Sequence, residues 1–230
     1  VVTADDLGLI RGDGCFDSAR VVTDAGGTGR VVDLDEHLAR LASSAEALAI
    51  ANPSRGEWRG LVAEALASWP TPGEAVLKLV LTRGHPSDAL ADAPWLLGGT
   101  KTLSYVVNVA AAREARRRGA DDVIFTTTDD FALDGPTSGL LVARDGAFLS
   151  TPTGGTGILE SITVATILEA ARADGFASRY ELIPVDDLYR ADGVWLVSSG
   201  RGPVLVTSLD GRSIHSDEGL VARILRYALF

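Results

Sequence analysis

The chain has 230 residues, 46% of them hydrophobic and 23% charged, and a net charge of −10. That length holds one large domain or two small ones, and the acidic balance argues against non-specific nucleic-acid binding, which needs a basic surface. No apolar run reaches the length of a membrane span and no basic-then-apolar leader opens the chain, so a cytoplasmic chain without a membrane segment is expected.

Taken in chain order, Gly12–Val22 opens with a Gly-Asp-Gly turn and continues as an alternating strand. Val31–Leu34 reads as a second short strand. Asp35 then reads as the N-cap of a helix over His37–Ile50, with Leu38, Leu41, Ala45 and Leu48 on one face. A second amphipathic helix is predicted over Trp58–Trp69, stopped by Pro70 and Pro72, and a buried strand over Ala75–Leu81. Residues 84–100 are rich in Pro, Asp, Ala and Gly and read as a connector between two halves. Domains are therefore expected at 1–93 and 101–230, joined by 94–100. The second half is predicted to open with a helix from Lys101 to Arg118, closed by Gly119. Strands follow at Asp122–Thr127, Leu140–Arg144 and Phe148–Ser150, the last two joined by an Asp145-Gly146 hairpin turn. A helix over Ile162–Ala173, a strand over Gly193–Ser198 and a helix over Leu220–Ala228 complete the chain. Hairpins mixed with helices give an α/β (α+β) fold in two subdomains.

Residue counts narrow the chemistry. Cys15 is the only cysteine, so no intramolecular disulfide can form and a reducing compartment is expected. Met is absent altogether, which points to an internal or processed start. Of 21 basic residues only Lys78 and Lys101 are lysines, and a lysine amine can form an imine where a guanidinium cannot.

Lys101, after Leu97-Gly98-Gly99-Thr100, is either a solvated charge or an amine made reactive by a helix N-terminus and partial burial. Lys78 alternates with Leu77 and Leu79 and reads as a structural or snorkelling residue. The Gly-rich run 154–157 leads toward Ser161, Ile162 and Thr163, where a helix N-terminus could bind an anion; the plainer reading is a loop before a capped helix. Asp134 is a turn residue or a carboxylate that keeps a ring nitrogen protonated. Arg20, Arg40 and Arg83 are candidate clamps for phosphate or carboxylate. His37, His85 and His215 lack metal-ligand spacing, and no Gly-x-Ser-x-Gly elbow is present.

The order of these blocks is more specific than any one of them. Gly12-Asp-Gly-Cys-Phe16, His37-Leu-Ala-Arg-Leu41, Lys101-Thr-Leu-Ser-Tyr105, Gly119–Phe125, Asp134-Gly-Pro-Thr-Ser138 and Gly157–Thr163 together resemble the class IV pyridoxal-phosphate enzymes. That family includes branched-chain and D-amino-acid aminotransferases and 4-amino-4-deoxychorismate lyase. The resemblance implies two α/β domains with pyridoxal 5'-phosphate between them, usually in a homodimer, acting on a small amino substrate. It implies that Lys101 is the Schiff-base lysine and that Arg40, Ser161, Ile162, Thr163 and Ser199 contact the phosphate. Tyr105 falls near the ring hydroxyl and Asp134 where the family has a Glu facing the ring nitrogen. Arg20 and Arg83 lie where relatives bind substrate carboxylates. The stretch from Gly12 to Val21 looks most like aminodeoxychorismate lyase, which implies release of 4-aminobenzoate and pyruvate for folate biosynthesis. A branched-chain or D-amino-acid aminotransferase is the alternative, and a non-catalytic member a lesser one. The family's Asn is Gly139 here, its aromatic Leu141 and its basic residue after Ile-Thr is Val164. Relatives also carry roughly thirty more residues between the counterparts of Gly84 and His85, a length whose loss would require the sheet to repack.

Overall fold

The computed structural model describes residues 8, 12–83 and 99–228. The chain divides into two compact units, Val1–Tyr105 and Val106–Phe230. This division falls after Tyr105 and not across 94–100, so Lys101 packs with the first unit.

In the first unit β1 (Gly14–Thr23) runs antiparallel to β3 (Gly73–Thr82) along its whole length, and its far end pairs with β2 (Gly29–Val31). Side chains alternate across a strand. Cys15 and Leu79 therefore face α1 (Leu34–Ala47) and α2 (Arg55–Ala67), where they meet Leu38, Leu41, Ala45, Trp58 and Val62. Phe16, Ser18 and Arg20 stand on the opposite face beside Val80, Lys78 and Val76. That face is open, with Val76 and Val80 55% and 45% exposed. β3 is thus a one-faced strand and not the buried one expected from its apolar run. Ser54 starts α2 with a reciprocal capping box to Glu57.

The predicted strand at Val31–Leu34 is displaced. Pairing ends once the Val32 N–H donates to the Arg20 carbonyl, and Asp33, with a left-handed φ of 51°, turns the chain directly into α1 without a side-chain cap. Asp35 is in the first turn of α1 and not its N-cap. The helix expected from Lys101 also begins later, as α3 (Val106–Arg117). Residues 101–103 instead pair with β1 along the edge that β2 leaves open: Phe16 N–H donates to the Lys101 carbonyl at 3.1 Å and Leu103 N–H to the Gly14 carbonyl at 2.7 Å. Cys15 and Thr102 form the bridge between them.

The second unit is built on a five-stranded sheet of β5 (Gly139–Arg144), β6 (Ala147–Ser150), β7 (Ala177–Tyr180), β9 (Gly193–Ser198) and β10 (Gly202–Leu205), in the order β10-β9-β5-β6-β7. β5 is buried on both sides, as its unbroken apolar run requires. Leu140 and Val142 join one core with Val194 and Leu196, while Leu141 and Ala143 join another with Trp195 and Val197. That second core is covered by α4 (Ile162–Ala173) and α6 (Glu218–Tyr227). Asp145 and Gly146 both take positive φ in the tight β5–β6 hairpin, and β6 to β7 is a parallel connection through α4.

Asp122–Thr127 is extended but is not a strand of this sheet. It meets β4 (Phe131–Ala132) through the isolated bridge of Thr126 with Ala132. β4 pairs in turn with β8 (Ile183–Pro184), and the single-turn α5 (Val185–Leu188) follows. The edge strands β7 and β10 had no alternating pattern to reveal them. Among the described residues no helix is long and apolar enough to cross a membrane.

Candidate active site

In the first unit the edge pairing of residues 101–103 directs Lys101 to the open face of the sheet, opposite Phe16. Its Nζ lies 4.7 Å from the centre of the Phe16 ring and 5.9 Å from that of Tyr105. The two rings meet edge to face at 5.3 Å. The Lys101 backbone N–H donates to Ser44 Oγ on α1 at 3.2 Å. Lys101 is thus set by a sheet edge and two aromatic rings and not by a helix N-terminus. Lys78 belongs to the same face: its Nζ is 4.3 Å from the centre of the same Phe16 ring. The cross-strand register sets Lys78 opposite Ser18 and on the Phe16 side, across β1 from Lys101.

Arg40, one turn before Ser44 on α1, is held from beneath. Its Nε donates to Asp17 Oδ2 at 2.7 Å and its Nη2 to Asp17 Oδ1 at 2.6 Å. The same Oδ1 lies 2.7 Å from His37 Nδ1. Asp17 is fully buried and His37 nearly so, while the Arg40 side chain retains 13% exposure. Burial pushes the Asp17 carboxyl up, but the bonds from Arg40 and His37 more than offset this and hold it below its ordinary value. Asp17 and His37 were not among the sequence candidates. The signal lay in the spacing, since an acidic residue on the inward side of an alternating strand needs a partner.

The other two arginine candidates differ. Arg20 is on the open face, 3.8 Å from Glu74 Oε1 at the sheet's far end. Arg83 is committed to the fold. Its Nε donates to Asp13 Oδ2, its Nη1 to the Ala49 carbonyl and its Nη2 to the Leu48 carbonyl. The guanidinium thereby satisfies carbonyls that α1 leaves open at its C-terminus. The expected substrate role for Arg83 has no support in this geometry.

In the second unit the start of α4 gathers most of the predicted phosphate contacts. Thr163 Oγ1 and Ser199 Oγ are 3.0 Å apart, joining the first turn of α4 to the turn between β9 and β10. Ile162 and Thr163 are the first helical residues, and their N–H groups lack partners inside the helix. Ser161 instead serves as the N-cap, its Oγ accepting from Val164 N–H. The Gly-rich run does not lead straight into the helix. Gly157 N–H closes a turn on the Gly154 carbonyl, and residues 158–161 intervene without regular structure. Asp134 stands at the entrance to the Gly135–Ser138 turn, its carbonyl accepting from Phe125 N–H at 2.8 Å.

The departures at Gly139 and Val164 form one packing unit. A Cβ on Gly139 would lie 2.8 Å from Ser161 Cβ and 3.1 Å from Val164 Cγ2. Val164 is buried in the core with Leu141, where a charged side chain would be uncompensated. A cavity of about 200 Å³ adjoins this junction, lined by Gly139, Ser150, Thr151, Glu160, Ser161 and Tyr180 among others. Two of its hydroxyls are spent on the fold, Ser150 Oγ on the Leu140 carbonyl and Thr151 Oγ1 on that of Ala132. Among the described residues no group of His, Cys, Asp and Glu could hold a metal ion.

The profile of the family described as "Amino-transferase class IV" matches residues 14–89 and 68–209. The chain belongs to that family. It is 34% identical over 255 residues to a bifunctional aminodeoxychorismate lyase / D-amino acid transaminase of Mycobacterium tuberculosis, covering 92% of this chain and 86% of the relative. That alignment is longer than the chain itself, so the relative has residues without counterparts here; the expected place, between Gly84 and His85, lies outside the described residues. A fold IV transaminase from Curtobacterium pusillum superposes with a TM-score of 0.89 at 36% identity, covering all of this chain and 88% of that one. A hypothetical aminotransferase from Mycobacterium tuberculosis in its PLP-bound form gives 0.89 at 32% identity, covering 99% and 92%. The same protein is also solved bound to alpha-ketoglutarate and PMP, with a TM-score of 0.88 at 31% identity.

Class IV aminotransferases use pyridoxal 5'-phosphate. Each unit carries groups that suit it: the first a primary amine for an aldehyde and a guanidinium for a phosphate, the second two hydroxyls and a helix N-terminus for a phosphate.

Proposed function

We propose that this chain is a pyridoxal-phosphate-dependent 4-amino-4-deoxychorismate lyase of the cytoplasm, releasing 4-aminobenzoate and pyruvate. The observation that carries it is the open face around Lys101: one amine, two further cations and an aromatic ring on one side of a sheet, suited to an amino substrate with two carboxylates. The similarity to a bifunctional lyase and transaminase supports the same reading.

When bound, the cofactor supplies an electrophilic aldehyde and a ring that draws electrons from the carbon bearing the substrate amine. Lys101 Nζ would hold that aldehyde, and its free amine would move a proton at the substrate carbon. Phe16 and Tyr105 keep the lysine's amine above the sheet. Arg40, the Ile162 and Thr163 N–H groups and the Thr163 and Ser199 hydroxyls hold the phosphate. Ser161 shapes that turn as its cap. Asp134 holds a proton at the ring nitrogen. Lys78 and Arg20 orient the substrate carboxylates; they lie two strand positions or more apart along the face, which suits a substrate with two acids. The chain acts as a homodimer whose partner covers part of this same open face, a reading supported by the exposed apolar side chains of Val76 and Val80 on either side of Lys78.

A second reading is favoured by the neighbour solved with alpha-ketoglutarate and PMP: amino transfer from a D-amino or branched-chain amino acid to 2-oxoglutarate. Purified protein loaded with cofactor is given aminodeoxychorismate without any keto acid, and 4-aminobenzoate and pyruvate are measured. Both are expected. If neither forms while a D-amino acid and 2-oxoglutarate are consumed, the chain is a transaminase and the lyase reading is wrong.

A further inference from the structure

We propose that Asp17 is a positioning residue for phosphate recognition, fixing the Arg40 guanidinium from inside the fold. This rests on the reading of Arg40 as a phosphate ligand.

Two features point beyond a structural ion pair. The first is asymmetry of exposure. Asp17 is fully buried and Arg40 is not, so the pair presents its positive end to the surface and its negative end to the core. A buried ion pair is weak evidence for stability alone, because apolar residues of like volume often serve as well. The second is placement. Asp17 follows Phe16, whose N–H binds the Lys101 carbonyl; Arg40 precedes by one turn Ser44, whose Oγ takes the Lys101 N–H. Residues four apart on a helix are neighbours on one face. One strand and one helix therefore set the guanidinium and the Lys101 backbone together.

The bonding explains how orientation is held. Asp17 takes the edge of the guanidinium carrying Nε and Nη2 with both oxygens, a bidentate fork that fixes its plane. His37 Nδ1 on Oδ1 fixes the carboxylate in turn. An arginine free to turn about its side-chain bonds loses that conformational freedom on binding an anion; here Asp17 removes it beforehand. The opposing possibility is that Asp17 acts only as a counter-charge, which would weaken anion binding by reducing the local positive potential. The two roles predict opposite signs.

The test titrates full-length protein with pyridoxal 5'-phosphate and, separately, with pyridoxal, which lacks the phosphate, following tryptophan fluorescence. Asp17→Asn is expected to weaken the phosphorylated ligand about tenfold, the scale on which losing the outer partner of a binding group weakens metal sites, and to leave pyridoxal within about twofold. Asp17→Glu keeps the charge and shifts the carboxylate, and the same selective loss is expected. It also serves as the test if the Asn variant does not accumulate. Arg40→Met should lose the phosphorylated ligand at least as strongly, and Asp17→Asn should add nothing to it. Unchanged or tighter binding in the Asp17 variants, with a loss in Arg40→Met, overturns the positioning role and leaves the Arg40 reading standing. Equal loss of both ligands in the Asp17 variants makes the effect general to the fold and overturns the role as well. No loss in Arg40→Met overturns the reading of Arg40 itself.

Discussion

Burial raises the cost of charge at Cys15 and Asp17 alike, but only Asp17 has partners that reverse it. Burial first, and the charge of Asp17 second, push the Cys15 thiol up to about 11. At pH 8 the group stays protonated, and the thiolate is the reactive form. Iodoacetamide should therefore leave native protein unlabelled and modify Cys15 only on unfolding; rapid labelling of the native state would contradict its placement. The lowered Asp17 carboxyl works in the other direction. A folded-state value below the unfolded one contributes stability that is complete above the unfolded value and lost as pH falls through the folded one. At pH 7 Asp17→Asn should cost about 3 kcal/mol in denaturant unfolding, as expected for a buried charge left without its counterion. The gap to wild type should close as the pH falls below the ordinary Asp value near 3.8, and a gap that stays constant would mean the bonds are not charge-dependent. Lys101→Ala should fold normally yet show no visible absorbance from bound cofactor after dialysis; a retained band would move the attachment to Lys78. Lysine scarcity and block order singled out Lys101 and Arg40 in the sequence as candidates. The roles of Asp17 and His37 were not legible there, because only the fold brings an inward position of β1 against a helix that follows it in the chain.

At the scale of elements, periodicity found what the cores demand. Ile162–Ala173 and Gly193–Ser198 stand as expected because their apolar residues are buried at regular spacing. It failed where pairing with a distant segment decides the outcome. The run after Lys101 has helical composition, yet its first residues complete the edge of β1, and only from Val106 does the helix begin. The start of α4 gives an element-scale prediction. Gly139→Ala would drive a methyl to 2.8 Å from Ser161 Cβ, on the residue that caps the helix. A loss of about 1–3 kcal/mol is expected, the usual cost of overpacking a filled site. Weaker phosphate binding should accompany it, because Thr163 follows Ser161 by two residues. A stability equal to wild type would show that the cap can move aside, and that Gly139 is not coupled to Ser161.

For the molecule as a whole, composition bounded the class and motif order carried the family, while substrate choice stayed illegible: the lyase and transaminase readings share Lys101, Arg40 and Thr163. Light scattering on purified protein should give twice the 24.0 kDa chain mass, and a Glu at Val76 or Val80 should shift it toward the single-chain value; a wild-type monomer would end the dimer reading. The pairing of residues 101–103 with β1 has one more consequence, for hydrogen exchange. The amide protons of Phe16 and Leu103 are bonded across the sheet edge and that of Lys101 to Ser44. They should exchange with deuterium as slowly as the first unit's sheet, on a schedule set by its opening. The proposed attachment point of the cofactor would then report the unfolding of the strands beside it.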